Sequence, residues 1–356
     1  MRGILAAILA LIALWAPARA QEIRVTELPQ QRLSVAPGEY SGITYLSGNR
    51  YAVVDDDLSG GGIVFFDIPV RADGRVRTAR VRRTVPAGTA SASVTGLDNE
   101  GVVFTGSSLY VSAEHDQSVR EYDLDGFPTG RVLAVPADMD AKSIERNGGF
   151  EPLAFNSATG LFWTTTEFPL KRDTAPSRLH RLQSFDTTGT AGARFLYQTD
   201  EPAVTAAAAS AAWAYVFGIP ALTALPDGRL IVLEREVYVP HGKPKEILGA
   251  MFSRVKLYLV DPSGDPGGPV GPDASGSILP KQLLCSFETG IRVTAAGIDV
   301  TLANYEGMCL GPVLPDGRRT LILIADSQGG MSRLADKLGR RRLTNEFVKV
   351  LLLEIP

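Results

Sequence analysis

One unit recurs along this chain: a small-residue turn, a strand, a Gly-containing turn, and a second strand that ends in acids. It begins at Ser41 (SGITYL, then RYAVVDDD), Asn99 (NEGVVF, then SLYVSAEHD), Phe150 (FEPLAF, then LFWTTTEF), Ile219 (IPALTAL, then RLIVLERE) and Asn304 (NYEGMCL, then RTLILIADSQ). More strand-like runs follow, such as SVREYDLDG and TGRVLAVPA in the second unit. Recurrence of four short antiparallel strands at intervals of about 50 to 85 residues predicts an all-β fold, a β-propeller of four-stranded blades. Five blades are counted, and the long stretches before Ile219 and Asn304 leave room for a sixth. EIRVTELPQQ has no blade before it and FVKVLLLEIP no strand after it. Pairing the two closes the ring and removes two exposed edges. A two-sheet sandwich is the competing all-β arrangement. Ala203–Tyr215 is alanine-rich and predicts a short helix or irregular insertion, and Asp261–Ser277 reads as a Gly/Pro loop.

The first twenty residues stand apart. Arg2 precedes an apolar run from Ile4 to Trp15, and Ala18-Arg19-Ala20 forms a small-x-small junction. Twelve helical residues rise only about 18 Å, too little for a membrane span. The reading is a cleavable signal peptide over residues 1–20, cut near Ala20/Gln21, with one propeller domain over 21–356. A periplasmic or secreted protein follows, with no stable membrane insertion after cleavage. The net charge of −3 becomes −5 once Arg2 and Arg19 leave, 34 bases against 39 acids, which argues against a nucleic-acid partner. Two cysteines are too few for a disulfide framework. Cys285 falls on an outer strand and Cys309 on the next unit's inner strand. That order would hold them beyond the roughly 7 Å a disulfide spans, although an exported protein permits one.

Acids recur at two places in the unit. Glu100, Glu151 and Glu306 share one position on the first strand, where the other units have Ser41 and Pro220. Asp55, Asp56 and Asp57, then Glu114, Glu167, Glu234, Glu236 and Asp326 close the second strands. First strands line a propeller's channel, so these sets form two rings of carboxylates at its mouth. Crowded carboxylates need a compensating cation, and oxygen donors without thiolate or imidazole favour Ca²⁺ or Mg²⁺. The expected metal ligands are Glu100, Glu151, Glu306, Asp55, Glu234 and Asp326, with Ca²⁺ as cofactor. Glu114 or Glu167 would serve as general base, and His115 is the histidine best placed for acid–base work. Lys171, Arg172 and Arg235 are the expected substrate contacts. Arg235 points opposite to Glu234 and Glu236 on its strand, as a blade-packing ion pair or an anion contact.

NEGVVF with LYVSAE, GFEPLAF with WTTTE, LPDGRLIVLERE and NYEGMCLGPVLPDGRRTLILIADSQ resemble the phytase-like family, also described as having the esterase-like activity of phytase. The resemblance runs from about Ser41 to Pro356. It implies an exported propeller that hydrolyses phosphate or other esters, with Glu100, Glu151 and Glu306 on the matching turns and Glu114, Glu167, Glu234 and Asp326 closing the second strands. The expected protein is a monomeric Ca²⁺-dependent hydrolase of a small-molecule ester. A non-catalytic envelope propeller that binds a ligand or partner, and a lactonase or sugar-ester hydrolase, are the alternatives.

Overall fold

Strands such as Arg50–Asp55 and Arg319–Asp326 are apolar on both faces rather than alternating, so each must be covered on two sides. A computed structural model shows how. It describes residues 22–36, 38–56, 62–86, 98–173, 178–265, 267–271, 276–295 and 297–356; the proposed signal peptide, its cleavage junction and Asp57 lie outside them. The described residues form five antiparallel sheets, numbered here as blades 1 to 5 in chain order. Their first strands are Tyr40–Ser47, Asn99–Phe104, Phe150–Asn156, Ala214–Ala224 and Asn304–Val313. These inner strands touch one another in succession, blade 5 against blade 1 included. The fold is an all-β propeller.

The core is divided between neighbouring blades. Ala52 and Val54 pack against Val102 and Val111 of blade 2, whereas Tyr51 and Val53 pack against Ile322 and Ile324 of blade 5. Leu321 and Leu323 in turn meet Ile231 and Leu233 of blade 4. Adjacent residues therefore serve opposite interfaces, which explains continuous apolar runs ending abruptly in acids. The N-terminal segment Arg24–Glu27 lies antiparallel on Phe347–Glu354 and supplies the outer strand of blade 5. Thr205 caps a helix of five residues, Ala206–Ser210, in the alanine-rich stretch. The strands of blade 4 are long, and its outer strand Lys281–Thr294 turns back as a hairpin with Gly297–Val300. Both cysteines are free and buried.

Every inner strand shifts register near the recurring position, between Tyr40 and Ile43, Asn99 and Val102, Phe150 and Leu153, Gly218 and Ala221, and Tyr305 and Gly307. A bulge re-aims the side chain at that point. It also brings neighbouring backbones together. A Cβ on Gly42 would stand 2.3 Å from Glu100 O, and one on Gly101 would stand 2.4 Å from Glu151 O. The glycine after the ring position in blades 1, 2 and 5 (Gly42, Gly101, Gly307) is thus a requirement of blade spacing. Ser112 Oγ bridges that contact, accepting from Gly101 N (2.8 Å) and donating to Glu151 O (2.9 Å). Gly101→Ala should lower unfolding stability by about 1–3 kcal/mol, the cost of overpacking a site with no room. Gly249→Ala, inside a helix and with nothing within 4 Å of its Cβ, is the control and should raise stability by about 0.5–1 kcal/mol in the same denaturant titration.

Candidate functional site

The bulges turn side chains toward one end of the channel, where a cavity of about 490 Å³ opens. Beneath it the channel narrows to a void of about 10 Å³ ringed by Gly42, Gly101, Pro152, Pro220 and Gly307. Among the described residues its lining holds eight carboxyl groups, Glu39, Asp56, Asp98, Glu100, Glu114, Glu151, Glu167 and Glu306, against two guanidiniums, Arg146 and Arg235.

Two groupings divide these acids. In the first, one oxygen each of Asp56, Asp98 and Glu100 lies within 4.8 Å of the others, close enough to share a cation. Asp56 Oδ1 is buried and has no hydrogen-bond partner among the described residues. Burial, then the charges of Glu306, Glu39 and Asp98, pushes Asp56 up to about 8. Burial followed by Asp56 and Glu306 holds Glu100 well above the usual carboxylate range. Glu114 stands beside Asp98; burial raises it to about 7, although the Gly149 N–H donated to its Oε1 (2.8 Å) opposes the shift.

The second grouping surrounds Arg235. Its guanidinium is buried and donates to Glu167, to Glu306 and to Asn304 Oδ1 (2.7 Å). Burial works against its charge, but Glu167, Glu306 and Glu151 outweigh that and raise its pKa. Gly218, the residue opposite Arg235 in the ladder, leaves the space Glu167 needs, since a Cβ there would stand 2.5 Å from Glu167 O. Glu151 shares a hydrogen bond with Glu167, and burial holds Glu151 well above its ordinary value.

The expected ligands are therefore distributed differently from the sequence reading. Glu100, Glu151 and Glu306 all line the cavity, but Glu306 is engaged by Arg235 and only Glu100 joins the tight cluster. Asp55 pairs in register with Tyr40 and is not part of the lining; its neighbour Asp56 is, because alternation turns successive residues to opposite sides. The same parity sends Glu234 away from the axis, where it accepts from Tyr197 Oη (2.5 Å), Asp200 N (3.0 Å) and Lys281 Nζ (2.6 Å). Asp326 is buried outside the lining and accepts from Gln328 N (2.6 Å). Burial, then Glu306, raises its pKa well above the usual range. Glu114 and Glu167 reach the cavity; His115 sits exposed in the turn that follows and does not. Lys171 and Arg172 lie on an outward turn, Lys171 Nζ donating to Lys142 O (3.1 Å) and Arg172 pairing with Asp138. The sequence reading missed Asp98 and Glu39. Both stand two residues before a ring position, and that i, i+2 spacing was the available signal.

A family model described as "Phytase-like: Esterase-like activity of phytase" matches residues 36–328. The chain belongs to the phytase-like family. Membership points to an esterase- or hydrolase-type propeller, and the match spans the repeats that carry all eight cavity acids. No curated protein matches the sequence. Among solved structures, a streptogramin B lyase is similar at 11% identity, covering 93% of this chain and 98% of that one, with a TM-score of 0.36. Myxococcus xanthus glutaminyl cyclase is similar at 9% identity, covering 93% and 97%, with a TM-score of 0.40. Neither likeness bears on what this phytase-like chain does.

Raised carboxyl pKa values give the metal-free protein a defined pH response. An acid whose folded pKa exceeds its unfolded value stabilises the fold at low pH, and that contribution is lost as pH climbs between the two. For Asp56 and Glu114 the window runs from about 4 to about 8. Thermal melts in chelator should show a lower Tm at pH 8 than at pH 5.5, and the Asp56→Asn variant should flatten the slope.

Proposed function

We propose that this phytase-like protein is a divalent-cation-dependent hydrolase of esters, acting in the acid-lined cavity. The observation that carries the reading is the convergence of Asp56, Asp98 and Glu100 within 4.8 Å, with Asp56 Oδ1 buried and unpartnered among the described residues. An all-oxygen donor set of this charge suits a hard cation, Ca²⁺ above all, and disfavours softer metals. A cation bound there would supply Lewis-acid polarisation of an ester oxygen and lower the pKa of water. The protein's own residues do the rest. Asp56, Asp98 and Glu100 hold the cation, and Glu114, beside Asp98 and fixed by Gly149 N, is positioned to take a proton from the attacking water. Arg235 holds Glu167 and Glu306 beside this cluster and offsets part of the negative charge they add to it.

Export fits this reading, because extracellular and periplasmic Ca²⁺ suffices for sites of modest affinity. The phytase-like family is often secreted or periplasmic, and no helix among the described residues is long and apolar enough to cross a membrane.

Ca²⁺ should raise the Tm of the wild-type chain and support turnover of 4-nitrophenyl phosphate or 4-nitrophenyl acetate. Glu100→Gln and Asp98→Asn should each remove the Ca²⁺-dependent Tm shift and cut kcat at least a hundredfold, in the manner of a lost electrostatic group. Full turnover in excess chelator would refute the metal dependence, and saturable ligand binding with no turnover of any ester would favour a non-catalytic binding propeller.

A further inference from the structure

The cavity is acidic on one side only. The first two strands of blade 4, Ala214–Ala224 and Leu230–Val239, pair Val216 with Val237 and Ala214 with Val239. Alternation places those four residues on the same face as Gly218 and Arg235. Leu302 and Met331 extend the apolar wall. Strand rise sets Val237 about 7 Å from Arg235 along the chain, so the open part of the strip starts beside the carboxylates, and Val239, about 13 Å away, is fully buried behind it.

The strip is backed by its own core. Ile247 and Leu248 of helix Pro244–Ala250 and Leu334 and Ala335 of helix Ser332–Lys337 pack behind Val239 and Leu302. This cluster is separate from the five inter-blade cores and stands over blade 4. Ala214, Val237 and Met331 touch it yet remain only partly buried, and the cavity is the space they face. A site built only to hold a cation gains nothing from apolar surface kept open to water, whereas a site that must desolvate an uncharged group does. The charges agree. Arg235 is already shared between two carboxylates, and eight acids against two arginines repel a polyanion.

We infer that the substrate is an ester carrying at most one negative charge and an apolar alkyl or aryl arm, with the arm laid along Val216, Val237 and Met331. The inference rests on the hydrolase reading for where the ester bond sits, but not for the apolar contact.

Two measurements on the full mature chain in Ca²⁺ separate these claims. Calorimetric titration with 4-nitroanilides of acetic, butyric and hexanoic acid, the amide counterparts of ester substrates, reads binding without turnover. Affinity should rise with chain length, up to about fourfold for each methylene fully buried. Val216→Thr, which keeps shape and β-branching, should flatten that increment, and Val237→Thr should do the same if the first variant misfolds. The Ca²⁺-dependent Tm shift should survive in both. Affinity independent of chain length, or an equal loss for the acetyl and hexanoyl probes in the variants, would overturn the inference. Turnover of the matching 4-nitrophenyl esters is the second readout. Chain-length-dependent binding without turnover would sink the hydrolase reading and leave the strip standing. Turnover with no chain-length dependence in kcat/KM or in binding would do the reverse.

Discussion

A buried guanidinium organises the mouth of this propeller. Arg235 reaches from blade 4 to Glu167 at the end of blade 3's second strand and to Glu306 on the inner strand of blade 5. It therefore ties three consecutive blades together at the axis, where carboxylates of neighbouring blades would otherwise repel. Removing one partner of such a buried pair generally costs about 3–5 kcal/mol, because the other charge is stranded. Even with Arg146, two guanidiniums cannot offset eight acids, however. The remainder must be protonated, as the raised values of Asp56, Glu100 and Glu151 describe, or compensated by an ion that the chain does not encode.

Much of this was legible in the sequence because the repeat unit is physical before it is evolutionary. A strand covered on both faces has to be apolar throughout, and an acid at its end marks where the chain leaves the interface. That logic found the blades, and it placed Glu100, Glu151 and Glu306 around one cavity. It failed wherever the answer depended on a single step of parity. Asp55 and Asp56 are adjacent, and so are Glu234 and Arg235; in each pair only the second lines the cavity, and periodicity alone does not say which face looks inward. Arg235 was expected to oppose its neighbours, and the bulge between Gly218 and Ala221 determines that its side is the axial one. Lys171 and Arg172 failed for another reason. They follow an acid-bearing strand closely in the chain, but a turn of 3₁₀ helix carries them outward to Asp138 and Lys142.

The apolar wall was invisible for a third reason. Val216, Val237, Leu302 and Met331 come from four separated segments, and none differs in composition from an ordinary core residue. Only the overlong strands of blade 4 and the two short helices packed on them turn these residues into a surface. The same wall bears on the acids. Low-polarity surroundings penalise the charged form, so a cavity with one apolar side strengthens both the upward pKa shifts and the pull on a cation. Acid cluster, buried arginine and apolar strip are parts of one electrostatic arrangement.

The central claim is that Asp56, Asp98 and Glu100 hold a divalent cation. A crystal of residues 22–356 soaked in Mn²⁺ as an anomalous stand-in for Ca²⁺ tests it most directly. The account predicts one strong anomalous peak shared by those three side chains, displaced by excess Ca²⁺ and missing in Asp98→Asn. A peak bound instead at Glu234 or Asp326, or none in the cavity at millimolar metal, would contradict it.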